Sequence, residues 1–243
     1  NGDYVIQEID KAIHYFSLAA SKNHPGAQYH LGLIYYHGDY IPRDIGKAIY
    51  YFSLSASQHH PAAQFKLGDI YSSGIYIKKD IDKSIHYYTL AANQNYNPAQ
   101  YILGIELYLG LNLPKNIIKG MYYIILASKN GNRDANYSHG FLLHEGKNIE
   151  RNIKEAIHYY KEASSFNNQY AKNNLGIIYK HGCDEIKINI GTSIEYFTEA
   201  INQKNDYLSM YNLAHIYLYN ETIEKGIDKS IELLFKYSTK LSY

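Results

Sequence analysis

The sequence predicts an all-α solenoid of about seven stacked helix-turn-helix repeats, because three series of small residues recur every 36 residues. One glycine series is Gly32, Gly68, Gly104, Gly140 and Gly176. The second is Gly2, Gly38, Gly74, Gly110, Gly146 and Gly182. The third is Ala12, Ala48, Ser84, Gly120 and Ala156. In a solenoid each unit buries its apolar face against its neighbours, so one sequence pattern is used repeatedly.

The first helix of a repeat is predicted to begin at Pro25, because proline suits the first helical turn. Apolar residues then recur at helical spacing: Ala27, Leu31, Ile34 and Tyr35. A glycine inside a helix costs about 1 kcal/mol relative to alanine. The recurrence of Gly32 through the repeats therefore indicates that another helix crosses there too closely for a Cβ atom.

The second helix is predicted to follow Asp44, which can cap it, after Gly38 ends the first helix as a C-cap glycine. Its pattern is Ile45, Ala48, Ile49, Tyr51, Phe52 and Ser55. A tyrosine recurs in the second helices at Tyr15, Tyr51, Tyr87, Tyr123, Tyr159 and, after a one-residue insertion, Tyr196. We interpret these rings as core filler between helices.

Composition excludes several classes of protein. The chain has 24 basic and 23 acidic residues, so it lacks the basic footprint of a nucleic-acid-binding protein. It has no apolar run long enough to cross a membrane. Its single cysteine, Cys183, excludes internal disulfides and favours a reducing compartment, so we expect an intracellular, cytoplasmic protein.

The histidines and the glycines do not predict an active site. His14, His86 and His158 occupy one position in different repeats, too far apart to share an ion. The glycines punctuate helices and form no phosphate-binding loop, and Cys183 has no assignable base. We therefore predict no catalytic residue, no metal and no cofactor.

The repeat pattern resembles the Sel1-like repeat family, which is related to the tetratricopeptide repeats. The matching string is Ala27-Gln28-Tyr29-His30-Leu31-Gly32, then Tyr35, Gly38, Ile41, Asp44, Ala48 and Tyr51, and it recurs from Ala63. Gly32 and Ala48 are 16 residues apart (48 − 32), which favours the Sel1-like class over the shorter tetratricopeptide unit. The resemblance covers the whole chain and implies a right-handed superhelical α/α solenoid.

The step of the pattern places the repeat boundaries. The expected units are residues 1–22, 23–58, 59–94, 95–130, 131–166, 167–204 and 205–243. Gly2 falls at the loop-glycine position, so the first unit is expected to hold only a second helix. We expect a single solenoid that is a segment of a longer chain, because solenoids need polar terminal caps.

The resemblance implies a non-enzymatic interaction scaffold that binds a peptide or a partner domain on a concave face lined by the first helices. Three rows of residues map there. They are Tyr29, Phe65, Tyr101, Tyr137, Asn173 and Tyr211; Leu33, Asp69, Ile105, Phe141, Ile177 and His215; and Tyr36, Ser72, Tyr108, His144, Lys180 and Leu218. The predicted contacts are Tyr29, Leu33, Tyr36, Phe65, Asp69, Tyr101, Ile105, Tyr108, Tyr137, Phe141 and His144. The alternative for the first row is a role in packing alone.

A second contact surface is predicted on the convex side, where leucine recurs at Leu18, Leu54, Leu90 and Leu126. Further apolar residues of the fourth unit join it at helical spacing: Ile118, Tyr122 and Ile125. A contiguous exposed apolar stripe marks an interface, here for weak self-association. The alternative is that the leucines pack into the neighbouring repeat.

Two other functions compete with the scaffold. A helical repeat can read RNA bases, but that requires varied polar side chains and a basic groove. A Sel1-like hydrolase is the third class, although no nucleophile and base can be paired in this sequence. Glu106 stands at a position that is apolar in the other repeats, so it is either a local distortion or a polar point in the groove.

Overall fold

The computed structural model describes residues 2–39, 41–183, 186–204, 206–220 and 226–241, and within them the chain is all-α. Thirteen helices lie in these ranges: α1 (Gly2–Ser21), α2 (Pro25–His37), α3 (Ile45–Ser57), α4 (Pro61–Ser73), α5 (Ile81–Asn93), α6 (Asn97–Leu109), α7 (Ile117–Lys129), α8 (Arg133–Glu145), α9 (Ile153–Ser165), α10 (Gln169–His181), α11 (Ile190–Lys204), α12 (Tyr207–Tyr219) and α13 (Gly226–Leu241). The predicted fold class is confirmed. α1 already begins at Gly2, so this glycine is helical, whereas its repeat equivalents end a first helix.

The chain divides into two compact units, Asn1–Asn130 and Gly131–Tyr243. In the N-terminal unit α1 packs on α2, and the pairs α2/α3, α4/α5 and α6/α7 form antiparallel hairpins. In the C-terminal unit the hairpins are α8/α9, α10/α11 and α12/α13. The second helix of one hairpin packs on the first helix of the next within each unit.

The helix ends are fixed by local side chains. Asp44 Oδ1 accepts the N–H of Lys47 at 2.9 Å, which confirms the predicted cap of the second helix. Gly38 adopts φ 71°, a left-handed C-cap that residues with a Cβ adopt only with strain. The first helices other than α6 also have side-chain caps, which the repeat pattern did not predict. His24 Nδ1 accepts the N–H of Ala27 at 3.1 Å.

The recurring first-helix glycine receives a side chain from the second helix, so the predicted close approach is confirmed. The side chains that lie on the glycines are Phe52, Tyr88, Ile124, Tyr160 and Phe197. Between α6 and α7 the backbones themselves meet. A Cβ on Gly120 would lie 2.6 Å from the backbone N of Tyr108.

Three of the recurring second-helix tyrosines, Tyr51, Tyr87 and Tyr196, are half-buried and stack on a first-helix tyrosine, one residue before the ring that lies on the glycine, whereas Tyr15 is 67% exposed. Tyr51 stacks on Tyr35 with ring centroids 5.8 Å apart and an interplanar angle of 4°. Tyr196 stacks on Tyr179 at 5.9 Å and 8°. These rings fill space between helices, as predicted.

A row of buried amides, which the repeat pattern alone did not indicate, ties successive hairpins together. Gln64 in α4 donates from Nε2 to the carbonyl oxygen of Ala56 at 3.2 Å, at the end of α3. Its Oε1 accepts from Gln94 Nε2 at 2.7 Å, just after α5. Gln28 and Gln100 occupy the same position and are also buried. Each glutamine therefore joins the ends of two second helices.

Candidate protein-interaction surfaces

The predicted concave contacts lie at the fifth, ninth and twelfth residues of each first helix, and we call these positions the first-helix face. In the N-terminal unit the fifth residues of α2 and α4, Tyr29 and Phe65, pack between repeats. The Tyr29 ring lies 4.9 Å from the His60 ring at the start of α4 and 5.8 Å from the Phe52 ring on α3. Phe65 contacts Tyr88 on α5 and Tyr96 at the start of α6 in the same way, both at 5.4 Å. These half-buried aromatic rings hold neighbouring helices in register.

The remaining predicted residues of the N-terminal unit's face are half-buried as well: Leu33, Tyr36, Tyr101, Ile105 and Tyr108. Tyr36 meets the exposed ring of Tyr76 edge-on at 6.0 Å. Arg43 donates from Nη1 to the hydroxyl of Tyr76 at 2.7 Å, which fixes this loop ring beside the face. The face is therefore an apolar surface with partial solvent access.

Asp69 is the polar centre of this face in the N-terminal unit. The Tyr88 hydroxyl donates to Asp69 Oδ1 at 2.9 Å, and Lys66 Nζ lies 3.3 Å from Oδ2. Burial raises the pKa of the Asp69 carboxyl, while Tyr88 and Lys66 act in the opposite direction. Burial also raises the pKa of the Tyr88 hydroxyl, which stays protonated and donates. Asp69 is thus held in a fixed orientation by its neighbours.

The first-helix face of the C-terminal unit exposes more apolar surface. Phe141 is 39%, Tyr211 49% and Leu218 43% exposed. Tyr137 packs between repeats, 6.0 Å from Tyr160 and 5.9 Å from Tyr170. Large apolar side chains with this exposure on one face of a unit are available to contact a partner.

His144, the last predicted residue of this face, is half-buried. Its Nδ1 lies 3.3 Å from the hydroxyl oxygen of Tyr160. Burial and then the neighbouring Arg151 lower the pKa of the His144 ring, whereas Glu145 raises it. The ring is therefore neutral near pH 7 and makes a neutral hydrogen bond within the unit.

A cavity of about 440 Å³ opens at the α10 and α12 end of the same face. Its lining residues are Lys180, His181, Ile190, His215, Ile216, Tyr219 and Asn220. The repeat spacing predicted that Lys180 and His215 lie on this face. It could not predict that His181 and Tyr219 lie beside them. The cavity therefore combines three basic side chains with apolar walls.

The predicted convex residues differ in exposure. Ile118 is 66% and Tyr122 59% exposed, one turn apart on α7. The remaining members are half-buried: Leu54, Leu90, Ile125 and Leu126. We call these six residues the second-helix patch. Its most accessible part is the pair on α7, whereas Leu54, Leu90 and Leu126 are partly covered. Leu18, the first leucine of the predicted row, is 54% exposed and lies outside this patch.

Glu106 serves the loop that follows its own helix. Its carboxylate accepts the backbone N–H of Asn112 at 2.9 Å and the Asn112 side-chain amide at 2.9 and 3.0 Å. It also borders a cavity of about 180 Å³ lined by Ser72, Ile81, Ser84, Ile85, Tyr88, Ile102, Glu106 and Asn112. The carboxylate at this otherwise apolar position thus has hydrogen-bond partners in the loop.

Within the ranges the structure describes, no group of three or more His, Cys, Asp or Glu side chains is placed to hold a metal ion. His24 and His60 use Nδ1 to cap helices. Cys183 is a free thiol and its backbone pairs with Ile186 in an isolated bridge. Among the described residues no helix is both long and apolar enough to span a membrane.

Comparison with known proteins identifies the repeat. The Sel1 repeat family model matches residues 1–24, 25–60, 61–96, 97–132, 133–165, 169–205 and 208–236. A search of curated proteins found no match.

Two solved structures share the fold at low sequence identity. A protective antigen of uropathogenic Escherichia coli strains, which displays an SLR fold, matches with a TM-score of 0.83 and 23% identity, over 94% of this chain and 48% of its own. A Sel1 repeat protein from Oxalobacter formigenes matches with a TM-score of 0.74 and 22% identity, over 90% of this chain and 89% of its own. This chain spans about half the length of the E. coli protein. Because seven consecutive repeats match the family model along its length, the chain belongs to the Sel1 repeat family.

Proposed function

We propose that this chain is a non-enzymatic interaction scaffold that binds a peptide or a partner domain on its first-helix faces. Sel1 repeat proteins generally mediate protein–protein interactions, and their fold is typically a non-catalytic scaffold. The observation that carries the proposal is the exposure of Phe141, Tyr211 and Leu218, between 39% and 49%, on one face of the C-terminal unit. Aromatic side chains of this kind supply large contact area at low entropic cost.

The N-terminal unit supports the same function in a different way. Leu33, Ile105 and Tyr108 leave a partly accessible apolar surface around the Asp69 carboxylate. A hydrogen-bond donor of a partner can reach the solvent-facing part of Asp69, whose side chain is 32% exposed. Tyr29 and Phe65 stabilise this surface from below, so we assign them a supporting role. The free thiol of Cys183 suits the intracellular, cytoplasmic compartment that we propose.

The test is affinity capture from a lysate of the native organism with three forms of the chain. In the face variant, Phe141, Tyr211 and Leu218 are changed to Ser. In the control, three apolar loop residues that are more exposed than the face residues are changed to Ser: Ile75, Leu111 and Ile188, at 74%, 62% and 62% exposure. Thermal unfolding by circular dichroism checks that both variants fold.

We expect the wild-type chain and the loop variant to retain the same protein. The face variant should retain at least about tenfold less of that protein than the wild type. Equal retention by the face variant would disprove this binding face. Salt-sensitive retention of RNA, with no protein, would instead favour the RNA-binding class. In a direct titration with the purified partner, the wild-type chain and the loop variant should then bind more tightly than the face variant.

A further inference from the structure

We propose that the cavity between α10, α11 and α12 binds an acidic side chain of the partner segment, so that the scaffold recognises a peptide with an aspartate or glutamate beside apolar residues. This inference rests on the proposed function and adds the chemistry of the ligand. The cavity lies at one end of the exposed apolar face of the C-terminal unit. A segment lying on Phe141 and Tyr211 can therefore place one side chain in it.

The cavity collects its basic groups from two helices. Lys180 lies in the last turn of α10, and His181 is its final residue. His215 stands on α12, where its ring packs 4.5 Å from the exposed Tyr219 ring and 6.4 Å from that of Tyr211. Because α10, α11 and α12 all pack together in the C-terminal unit, these side chains converge on one space.

No carboxylate of the described residues forms an ion pair with Lys180, His181 or His215. Burial lowers the pKa of the Lys180 ammonium group. Burial, followed by the nearby Lys180 and His181, lowers the pKa of the His215 ring. Lys180 is therefore a partly desolvated cation, and a carboxylate placed beside it would stabilise its charge.

Two other buried or partly buried lysines of the chain each have an acidic partner. Lys172, on the same helix, has a side chain only 5% exposed and contacts Glu199 at 2.9 Å. Lys66 contacts Asp69 at 3.3 Å. Lys180 is also partly buried, yet it faces a cavity in which the described residues supply no acid. A carboxylate from outside the chain complements it.

The balance of charge favours a carboxylate over a phosphate. The lowered pKa of His215 keeps its ring neutral near pH 7, so it donates a hydrogen bond without adding a full charge. Lys180 supplies one positive charge, which matches the single negative charge of an aspartate or glutamate. Ile190, Ile216 and Tyr219 form apolar walls suited to the methylene groups of such a side chain.

The site would also fix the position of a bound segment along the scaffold. At the position of Lys180 the other first helices carry Tyr36, Ser72, Tyr108, His144 and Leu218, so the lysine occurs once in this row. An acidic residue in a bound segment would therefore dock at one end of the C-terminal unit. Apolar contacts along the face supply affinity, and the carboxylate fixes the position of the segment.

The experiment is selection from a random peptide library displayed on phage, with the full chain as target. Four forms are used: wild type, Lys180→Met, the Phe141/Tyr211/Leu218→Ser face variant, and Lys161→Met. Lys161 is an exposed lysine of α9 outside the cavity lining and provides the matched control. Thermal unfolding confirms that each variant folds.

We expect wild type and Lys161→Met to enrich peptides with aspartate or glutamate at one fixed position between apolar residues. Lys180→Met should enrich the apolar pattern without the acid, and the face variant should enrich neither. If the wild type enriches apolar peptides that have no acidic residue at a fixed position, this inference is overturned and the proposed function stays intact. No peptide enriched by wild type over the face variant would contradict both.

A titration of one selected peptide completes the test. In wild type, changing its acidic residue to the amide should weaken binding by about tenfold or more, as expected for a charge-assisted hydrogen bond. In Lys180→Met the same change should have little effect, because the interacting charge is already absent. Equal losses in both forms, or stronger displacement of the peptide by inorganic phosphate than by acetate at equal ionic strength, would overturn the assignment.

Discussion

The ring of Phe52 lies directly on Gly32. A Cβ atom added to Gly32 would lie 2.5 Å from both Cδ1 and Cε1 of that ring. Phe52 is fully buried, and the pairs Gly68–Tyr88 and Gly176–Phe197 repeat the arrangement at 2.6 Å. The glycine that recurs every 36 residues is therefore the place where the second helix packs against the first.

Gly32→Ala should lower the free energy of unfolding. Alanine improves helix propensity by about 1 kcal/mol, but the buried Phe52 ring must move, and overpacking of a core costs about 1 to 3 kcal/mol. We expect a net loss, measured as a lower midpoint in urea. Gly191→Ala is the control, because its Cβ would meet nothing closer than Asn189 Oδ1 at 3.5 Å. An equal increase in the free energy of unfolding of both variants would contradict the packing argument.

The cap at His60 makes stability depend on pH. His60 Nδ1 accepts the N–H of Ala63 at 3.3 Å, so this nitrogen carries no proton in the fold. Burial, and then the nearby His30, lower the pKa of the ring from its ordinary value of 6.5. The unfolded chain therefore takes up a proton first as the pH falls. The stabilisation is complete above pH 6.5 and is lost progressively below it.

His60→Asn should reduce this pH dependence, since Asn132 and Asn168 cap equivalent helices with bonds of 2.9 Å. Between pH 7.5 and 5.5 we expect the wild type to lose a few tenths of a kcal/mol more than the variant, after allowance for the solvent access of the half-buried ring. Chemical unfolding at both pH values measures the difference. His158→Asn, at an exposed site, serves as control. An identical pH response of wild type and His60→Asn would refute the assignment.

The buried Lys172 depends on Glu199. Its ammonium group lies 2.9 Å from the Glu199 carboxylate, whose side chain is 55% exposed. Glu199→Gln should destabilise the C-terminal unit by about 1 to 3 kcal/mol, because it removes the countercharge of a buried cation. Lys172→Gln in that background should restore part of the loss, since glutamine is used at this position in α2, α4 and α6. Glu195→Gln, exposed on the same helix, should have little effect, and no difference between the two glutamate variants would exclude the pair.

Self-association through the second-helix patch predicts a specific pair of contacts. Ile118 and Tyr122 are its two exposed members. Changing both to Ser should lower the weight-average mass at high protein concentration, measured by sedimentation equilibrium, because exposed apolar contacts between copies are removed. Ile75→Ser with Leu111→Ser provides a control in which two exposed apolar loop residues are replaced in the same way. A wild type that stays monomeric through the millimolar range would rule out this role.

Much of the fold could be predicted because its signals are local. The cap at Asp44 and the left-handed turn at Gly38 involve residues a few positions apart, and both were confirmed. The close approach at Gly32 was predicted, but the ring that fills it was not, because Tyr51 and Phe52 are neighbours and only the packing distinguishes them. The histidine caps were missed because histidine is an unusual cap residue. Their repetition at His24 and His60 was the available signal.

The sequence by itself determined the helix pairs, the Asp44 cap, the Gly38 C-cap, the repeat and the family, because helical spacing and these cap residues act over a few neighbouring positions. The tertiary structure decided which side chains of the first-helix face are available. Tyr29 and Phe65 share a row with Tyr211, yet the first two are covered by rings of the following hairpin and Tyr211 is 49% exposed. It also brought Lys180 of α10 and His215 of α12 to one cavity. The exposure of a side chain, and the approach of side chains from different helices, depend on the residues of the neighbouring helices. The residue spacing within one repeat carries no information about those neighbours.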